Sequence, residues 1–155
     1  MRWVRTWCLV GMAWVAAGCI PPGYVRDPEP WVTAARWSEA ERVALEMGDA
    51  AFRPQVLTLR EGRPYVLELA NRGRQSHRFR APEFFRAVAL KDVQVPGIAR
   101  LRAWRLQGVE LRPGRSVEIR FVAVRPGTYR AACATPGHAS RGQAAAIRIV
   151  ERKRP

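Results

Sequence analysis

Apolar residues recur at every second position along most of this chain, and glycine or proline interrupts the pattern at short intervals. Five runs show the alternation, with apolar positions at Val43, Leu45 and Met47; Leu57 and Leu59; Tyr65, Leu67 and Leu69; Val117, Ile119 and Phe121; and Ala145, Ile147 and Ile149. Because successive side chains of a strand point to opposite faces of its sheet, this pattern is typical of half-buried β-strands. The sequence therefore predicts an all-β domain.

Turn-forming residues separate these runs. They lie at Glu61-Gly62, Asn71-Arg72-Gly73, Arg112-Pro113-Gly114 and Arg125-Pro126-Gly127. Short strands at this spacing favour an antiparallel sandwich or barrel. One short helical segment is expected at Pro82–Ala89, because Pro82 suits a helix start and Phe84, Phe85 and Val88 can share a face. The segment 91–107 carries no pattern that assigns it to a strand or a helix.

The composition fits one compact domain with a strongly basic surface. The chain has 155 residues, 48% of them hydrophobic, and 27 Lys and Arg against 13 Asp and Glu give a net charge of +14. Such a charge raises the alternative of a nucleic-acid binder, but the arginines are scattered singly rather than gathered in a run or on one helix. We therefore expect a solvated basic surface, no nucleic-acid partner, and favourable encounters with acidic proteins or anionic lipids.

Residues 1–18 have the features of an export signal. Arg2 and Arg5 precede an uncharged apolar stretch from Trp7 to Ala17 that is too short to span a bilayer comfortably. The ending Ala16-Ala17-Gly18-Cys19 is similar to the lipobox of bacterial lipoproteins, with Ala16 in place of the usual leucine. We expect lipidation at Cys19. The alternative is an ordinary signal peptide in which Cys19 is incidental, and both alternatives place the mature protein outside the cytoplasm.

The next segment, 19–37, is rich in proline and without periodicity. Prolines at positions 21, 22, 28 and 30 predict an extended tether between the lipid and a folded domain at 38–155. The alternative is an N-terminal extension that packs over the domain through Trp31 and Trp37. The predicted location is the periplasm or the cell-envelope surface, with anchoring to a membrane through Cys19.

Cysteine and histidine are scarce enough to define one possible metal site. The chain has two histidines, His77 and His138, and beyond Cys19 it has one thiol, Cys133. A thiolate and an imidazole on one loop, joined by a distant imidazole, give two nitrogens and one sulfur, a set that suits copper cycling between Cu(I) and Cu(II). In the spacing Cys133-x4-His138-x4-Gln143 the amide oxygen of Gln143 is the candidate axial ligand.

Each of these residues also has an ordinary structural interpretation. Cys133 can be a small buried apolar residue, His77 a surface polar group, His138 a loop residue, and Gln143 the amide at the start of a strand. Their joint spacing, with no other histidine in the chain, favours the site. A zinc ion could use the same ligands. If Gln143 is not a ligand, the carbonyl of Ser76 is the substitute candidate, or there is no axial ligand.

Three motifs resemble the cupredoxin, or blue copper, family, and in particular its bacterial cupredoxin-like domains. They are Asn71-x-Gly73-x3-His77-x-Phe79; Ala81-Pro82-Glu83-Phe84-Phe85; and Gly127-x-Tyr129-x3-Cys133-Ala134-Thr135-Pro136-Gly137-His138. The resemblance covers about Val43 to Val150. It implies a Greek-key β-sandwich of seven or eight strands with one copper ion near one end, and matched positions make His77, Cys133 and His138 its ligands.

The chain departs from the family at the axial position. Most members carry methionine there, whereas Gln143 with its Cys-x4-His-x4-Gln spacing is similar to the stellacyanin branch of plant phytocyanins. An amide oxygen is a harder ligand than a thioether and favours Cu(II). The resemblance therefore implies a lower reduction potential than that of a methionine-ligated copper.

The leading hypothesis is a membrane-tethered, monomeric one-electron carrier that is not an enzyme. Its partner would be a redox protein with an acidic surface, such as a cytochrome or an oxidase. The second hypothesis is a copper-binding or copper-delivery protein that uses the same ligands. A hydrolase with Cys133 as nucleophile and His138 as base is disfavoured, because the sequence places no Asp or Asn as an orienting group.

Overall fold

The computed structural model describes residues 23–102 and 105–152. The predicted signal peptide and the lipidation residue Cys19 lie outside the described residues. Eleven strands are described: β1 Glu41–Met47, β2 Phe52–Arg53, β3 Val56–Arg60, β4 Pro64–Asn71, β5 His77–Arg80, β6 Val88–Val95, β7 Ala99–Leu101, β8 Gly108–Leu111, β9 Ser116–Ala123, β10 Gly127–Cys133 and β11 Ala144–Val150. Helices α1 and α2 span Glu29–Ala34 and Pro82–Arg86, and short 3-10 turns span Trp37–Glu39 and Ala139–Arg141.

The strands form two sheets. The six-stranded sheet has the order β2-β1-β4-β9-β6-β7, and the five-stranded sheet has the order β3-β11-β10-β5-β8. Alternate residues of both sheets enter one buried core, as the sequence pattern predicts: Leu67 of β4, Ile119 of β9 and Ile147 of β11 are each fully buried. The prediction of an all-β sandwich is confirmed.

Several details differ from the sequence-based expectation. Eleven strands among the described residues replace the expected seven or eight, because short pieces such as β2 and β7 were too brief to show a pattern. The expected antiparallel pairing is wrong for two pairs, since β1 pairs with β4 and β3 pairs with β11 in parallel. Period-two alternation is the same for both strand directions, so it does not distinguish them.

The expected helix at Pro82–Ala89 is correct at its start and too long at its end. Helix α2 ends at Arg86, and Val88 begins β6. Phe84 and Phe85 are buried in the core as predicted. Val88 is buried as well, but as a strand residue paired with Ala123 of β9, so tertiary pairing ends the helix there.

The described part of the segment 19–37 packs against the domain. Helix α1 contacts β6 and β9, and Tyr24 packs on the core and donates a hydrogen bond to the carbonyl of Leu106. The ammonium group of Lys91 lies 4.0 Å from the centroid of the Trp37 ring. From residue 23 onward the chain thus lies against the domain through Tyr24 and Trp37, whereas Trp31 of α1 is 40% exposed. Within the described ranges no helix is long and apolar enough to cross a membrane.

Candidate metal centre

Strand pairing brings the distant His77 next to Cys133. Cys133 ends β10 and is in register with Phe79 of β5, and His77 lies two residues before Phe79 on the same face of the sheet. That face points into the sandwich, since Tyr129, Ala131 and Cys133 turn toward the core as predicted. The loop between β10 and β11 then returns His138 to the same place.

The three side chains form one buried cluster. Cys133 Sγ lies 3.9 Å from Nδ1 of His77 and 3.7 Å from Nδ1 of His138, and the candidate ligand atoms all lie within 4.8 Å of one another. Their exposures are 0% for His77, 3% for Cys133 and 7% for His138. A thiol and two imidazoles are therefore gathered around one point that water reaches poorly.

Gln143 closes the cluster with a fixed orientation. Its amide nitrogen donates hydrogen bonds of 2.8 Å to the carbonyl of Gly48 and 2.6 Å to the carbonyl of Asp49. The amide oxygen is thereby turned toward the cluster, where it lies 2.9 Å from Nδ1 of His138. Both atoms therefore face the cluster, and Nδ1 of His138 coordinates a metal in the tautomer that carries its proton on Nε2.

The loop after Cys133 is held by its own backbone. The amide of His138 donates to the carbonyl of Thr135 over 3.1 Å, and the amide of Gln143 donates to the carbonyl of His138 over 3.2 Å. Gly142 ends the short 3-10 turn with φ of +102°, a conformation that suits glycine. The amide of Cys133 in turn donates to the carbonyl of Gln143. These bonds explain why the spacing of four residues between ligands places both side chains in the cluster.

Asp49 lies beside the candidate metal centre, although no sequence pattern indicates it. Its Oδ1 lies 3.1 Å from Nε2 of His77, so Nε2 donates to the carboxylate and the lone pair of Nδ1 faces Cys133. The backbone amide of Arg74 chiefly, with smaller help from His77 and Gln75, holds the pKa of Asp49 below its ordinary value. Asp49 lies in the turn between β1 and β2, and no spacing in the sequence links it to His77.

Gly73 leaves room for the contact between Asp49 and His77. A β-carbon at this position would lie 2.7 Å from Nε2 of His77 and would also collide with Oδ1 of Asp49. The neighbouring Asn71 is fully buried and fixes the loop, since its amide nitrogen donates to the carbonyls of Gln75 and Leu111, each over 2.8 Å. The Asn71-x-Gly73 motif thus shapes the approach to His77.

The donor set fits a copper ion. Donor atoms that share one ion at about 2.0–2.3 Å lie roughly 3.5–4 Å apart in a trigonal plane, which agrees with the two sulfur-to-nitrogen distances of the cluster. Two imidazoles, one thiolate and a harder axial oxygen suit copper in both oxidation states. Zinc could use the same atoms, so the geometry alone leaves the two metals open.

A comparison with models of protein families shows the family to which this chain belongs. The model of the cupredoxin-like domain matches residues 30–145, and this range contains His77, Cys133, His138 and Gln143. The chain belongs to the cupredoxin-like family. Its membership implies copper binding and agrees with the His-Cys-His group of the structure. No curated protein sequence matches the chain.

Several solved structures are similar to this chain at low sequence identity. A multicopper oxidase from Campylobacter jejuni is 13% identical with a TM-score of 0.56, over 72% of this chain and 30% of the oxidase. A copper nitrite reductase from Nitrosomonas europaea is 12% identical with a TM-score of 0.56, over 72% and 50%. Auracyanin from Roseiflexus castenholzii is 19% identical with a TM-score of 0.49, over 72% and 98%. The chain thus spans about a third to a half of the two enzymes.

Contrary to the expectation from the sequence, a carboxylate does orient one imidazole of this site. The carboxylate is that of Asp49, and the imidazole that it contacts is His77 and not His138. The resulting line of Asp49, His77 and Cys133 has the order of a nucleophilic triad. Both His77 and Cys133 are buried, however, and a substrate carbonyl needs open access to the sulfur. Burial of the thiol is therefore the reason that disfavours the hydrolase hypothesis, since an orienting acid is present at His77.

Proposed function

We propose that this cupredoxin is a type 1 copper protein that transfers single electrons by Cu(I)/Cu(II) cycling, with one copper ion per chain. The observation that carries the proposal is the buried cluster of His77, Cys133 and His138, closed by the amide oxygen of Gln143. Copper, when bound, supplies the change of oxidation state. The protein supplies a fixed set of donors for both states.

The support for electron transfer is the rigidity of those donors. His77 and Cys133 lie on paired strands, and Asp49 and the Gly48 carbonyl hold the outer atoms of His77 and Gln143. A donor set that is held before the metal binds changes little between oxidation states, which keeps the reorganisation small. Burial of the three ligands excludes water, which would otherwise rearrange with each change of charge.

We further propose that the protein is a carrier rather than an enzyme. Some structural relatives are named as oxidases and a reductase, but the aligned part of this chain covers 30% of the oxidase and 50% of the reductase, and the likeness shows the fold alone. The described residues contain one group of histidine, cysteine and acidic side chains arranged to hold a metal, whereas an oxidase that reduces oxygen needs further electron-accepting centres. A single site suits transfer between two partners.

The proposal extends to location and partners. We infer export by residues 1–18, lipidation at Cys19 and a position in the periplasm or on the cell-envelope surface, from the sequence features given above. The chain would act as a monomer and exchange electrons with a redox protein that presents acidic side chains. The net charge of +14 supports an acidic partner and does not require nucleic acid.

Cyclic voltammetry of the copper-loaded protein, with the copper content measured before and after repeated cycles, tests this function. We expect a reversible one-electron wave and full retention of one copper per chain. Reduction that releases the metal to a Cu(I) chelator would instead support copper delivery, the alternative use of the same ligands.

A further inference from the structure

The outer face of the five-stranded sheet carries a strong and localised positive charge. Its outward positions include five arginines and one acidic residue, all exposed: Arg60, Arg78, Arg80, Arg130, Arg148 and Glu110. The net charge of this face is therefore +4. Of the two described helices, α1 packs on β6 and β9 of the other sheet, and α2 contacts β10 while its Phe84 and Phe85 are buried in the core.

The outer face of the six-stranded sheet does not share this charge. Its strands carry five basic and four acidic residues there: Arg42, Arg53, Lys91, Arg100 and Arg120 with Glu46, Glu68, Asp92 and Glu118. Several are paired, as in the contact of Arg42 with Glu118 and the 2.5 Å contact of Arg120 with Asp92. Of the two outer sheet faces, the five-stranded one thus has a net charge of +4 and the six-stranded one a net charge of +1.

Four arginines of the basic face form a diagonal row over adjacent strands, with Arg60 on β3, Arg148 on β11, Arg130 on β10 and Arg80 on β5. The strand registers place each arginine one strand over and two residues along from the one before it. Arg148, for example, is in register with Thr128, two residues before Arg130. Diagonal neighbours of this kind lie about 7–8 Å apart, so the row extends over roughly 22 Å.

The row has no acidic partner of its own. Among residues 23–102 and 105–152 no ion pair involves the four arginines, and Arg80 instead donates to the side-chain oxygen of Gln107. The residues between them are small: Thr58, Thr128, Ala132, Ala144 and Ala146. A partner's backbone can therefore approach the sheet closely while its acidic side chains meet the guanidinium groups.

We propose that this arginine row is a docking surface for an extended acidic segment of a partner protein. Alternate residues of an extended chain are about 6.6–6.8 Å apart, which nearly matches the diagonal spacing of the arginines. Guanidinium groups bind carboxylates through two parallel hydrogen bonds, and every cation of the row is arginine rather than lysine. A segment with Asp or Glu at every second position is the occupant that fits.

Other anionic partners fit the face less well. Binding to an anionic membrane usually adds bulky apolar or aromatic side chains beside the cations, and binding to single-stranded nucleic acid adds aromatic side chains for base stacking. The outward positions of the described strands here hold no aromatic residue, and Val56 and Val150 are their largest apolar ones. An acidic polypeptide needs neither feature.

The docking surface lies beside the candidate metal centre. Ala132, in register with Arg80, faces outward immediately before Cys133, which faces inward. A partner bound along the row therefore sits against the strand that carries the thiol. Binding itself requires no metal, so its test is separate from that of the proposed electron transfer.

The experiment measures binding of the intact protein to a fluorescent peptide of about eight residues in which glutamate alternates with serine. The double variant Arg130→Gln with Arg148→Gln removes the centre of the row. The matched control, Arg42→Gln with Arg53→Gln, removes the same charge from two exposed positions on the other sheet. Oligothymidylate and vesicles of phosphatidylglycerol serve as competing anionic probes, all at low salt.

We expect the row variant to weaken peptide binding by about tenfold and the control variant by less than about twofold. A peptide in which glutamine replaces glutamate should not bind. If the two double variants lose peptide binding to the same extent, the peptide binds through the overall positive charge of the protein, and the proposal is wrong. Absence of peptide binding, or row-dependent preference for the oligonucleotide or the vesicles, would overturn it as well.

Discussion

Nε2 of His77 donates a hydrogen bond of 3.1 Å to Oδ1 of Asp49, on the side of the ring away from Cys133. The contact fixes the tautomer of His77, so that Nδ1 presents its lone pair to the candidate metal centre. It also places a negative charge one imidazole away from that centre. Outer contacts of this kind orient a ligand and raise its basicity.

Substitution of Asp49 by asparagine should raise the copper reduction potential. Asparagine can still accept the hydrogen bond from His77, but it removes the negative charge that favours Cu(II). The matched control is Glu46→Gln, which removes the same charge from an exposed residue of β1 that contacts Arg72. Voltammetry should show a larger shift for Asp49→Asn than for the control. Equal potentials in the two variants would mean that Asp49 acts on His77 through geometry alone.

A methyl group at Gly73 should disturb the same contact sterically. The added β-carbon would lie 2.7 Å from Nε2 of His77 and collide with Asp49, so Gly73→Ala should lower copper affinity and destabilise the protein by about 1–3 kcal/mol. Gly23→Ala is the control, because a β-carbon there meets nothing within 4 Å. Chemical denaturation and competition with a copper chelator measure the two effects. If Gly73→Ala changes neither the copper affinity nor the free energy of unfolding, the loop adjusts freely to the methyl group and the prediction is wrong.

Replacement of Gln143 by methionine should raise the reduction potential and lower the stability of the metal-free protein. The thioether favours Cu(I) relative to the amide oxygen, which accounts for the potential. The variant also removes the donors to the carbonyls of Gly48 and Asp49, which should cost about 1–3 kcal/mol in the free energy of unfolding. An unchanged potential with lowered stability would make Gln143 a structural clamp rather than an axial ligand.

Lipidation of Cys19 remains a prediction from the sequence. Cys19→Ser should release the protein from the membrane fraction while the spectrum of its copper site stays the same. Mass spectrometry of the N-terminus measures the modification directly. An unmodified mature N-terminus would support the ordinary signal peptide instead.

The strand pattern predicted the core correctly because burial alternates along each strand. Leu45 and Met47 of β1 and Leu57 and Leu59 of β3 are buried as the alternation indicates. The parallel pairing of β1 with β4 was not predictable in this way, because alternation shows which face a residue occupies and not the direction of its neighbour. The packing of Tyr24 against the core was missed for a related reason, since it depends on a tertiary contact.

The candidate ligands could be found from sequence because their chemistry is rare in this chain. Two histidines and one thiol beyond Cys19 left a single combination, and the structure brings His77, Cys133 and His138 together. Asp49 could not be found in that way. It is one of 13 acidic residues, and only the fold shows that the turn after β1 meets the ring of His77.

The visible absorption spectrum of the oxidised, copper-loaded protein tests the central claim most directly. We expect an intense thiolate-to-copper charge-transfer band, because Cys133 is the thiol that lies with both imidazoles in one buried cluster. Cys133→Ser should abolish the band while circular dichroism shows the same β-rich fold. A colourless Cu(II) complex of the unmodified protein, or a band that persists in Cys133→Ser, would contradict the assignment.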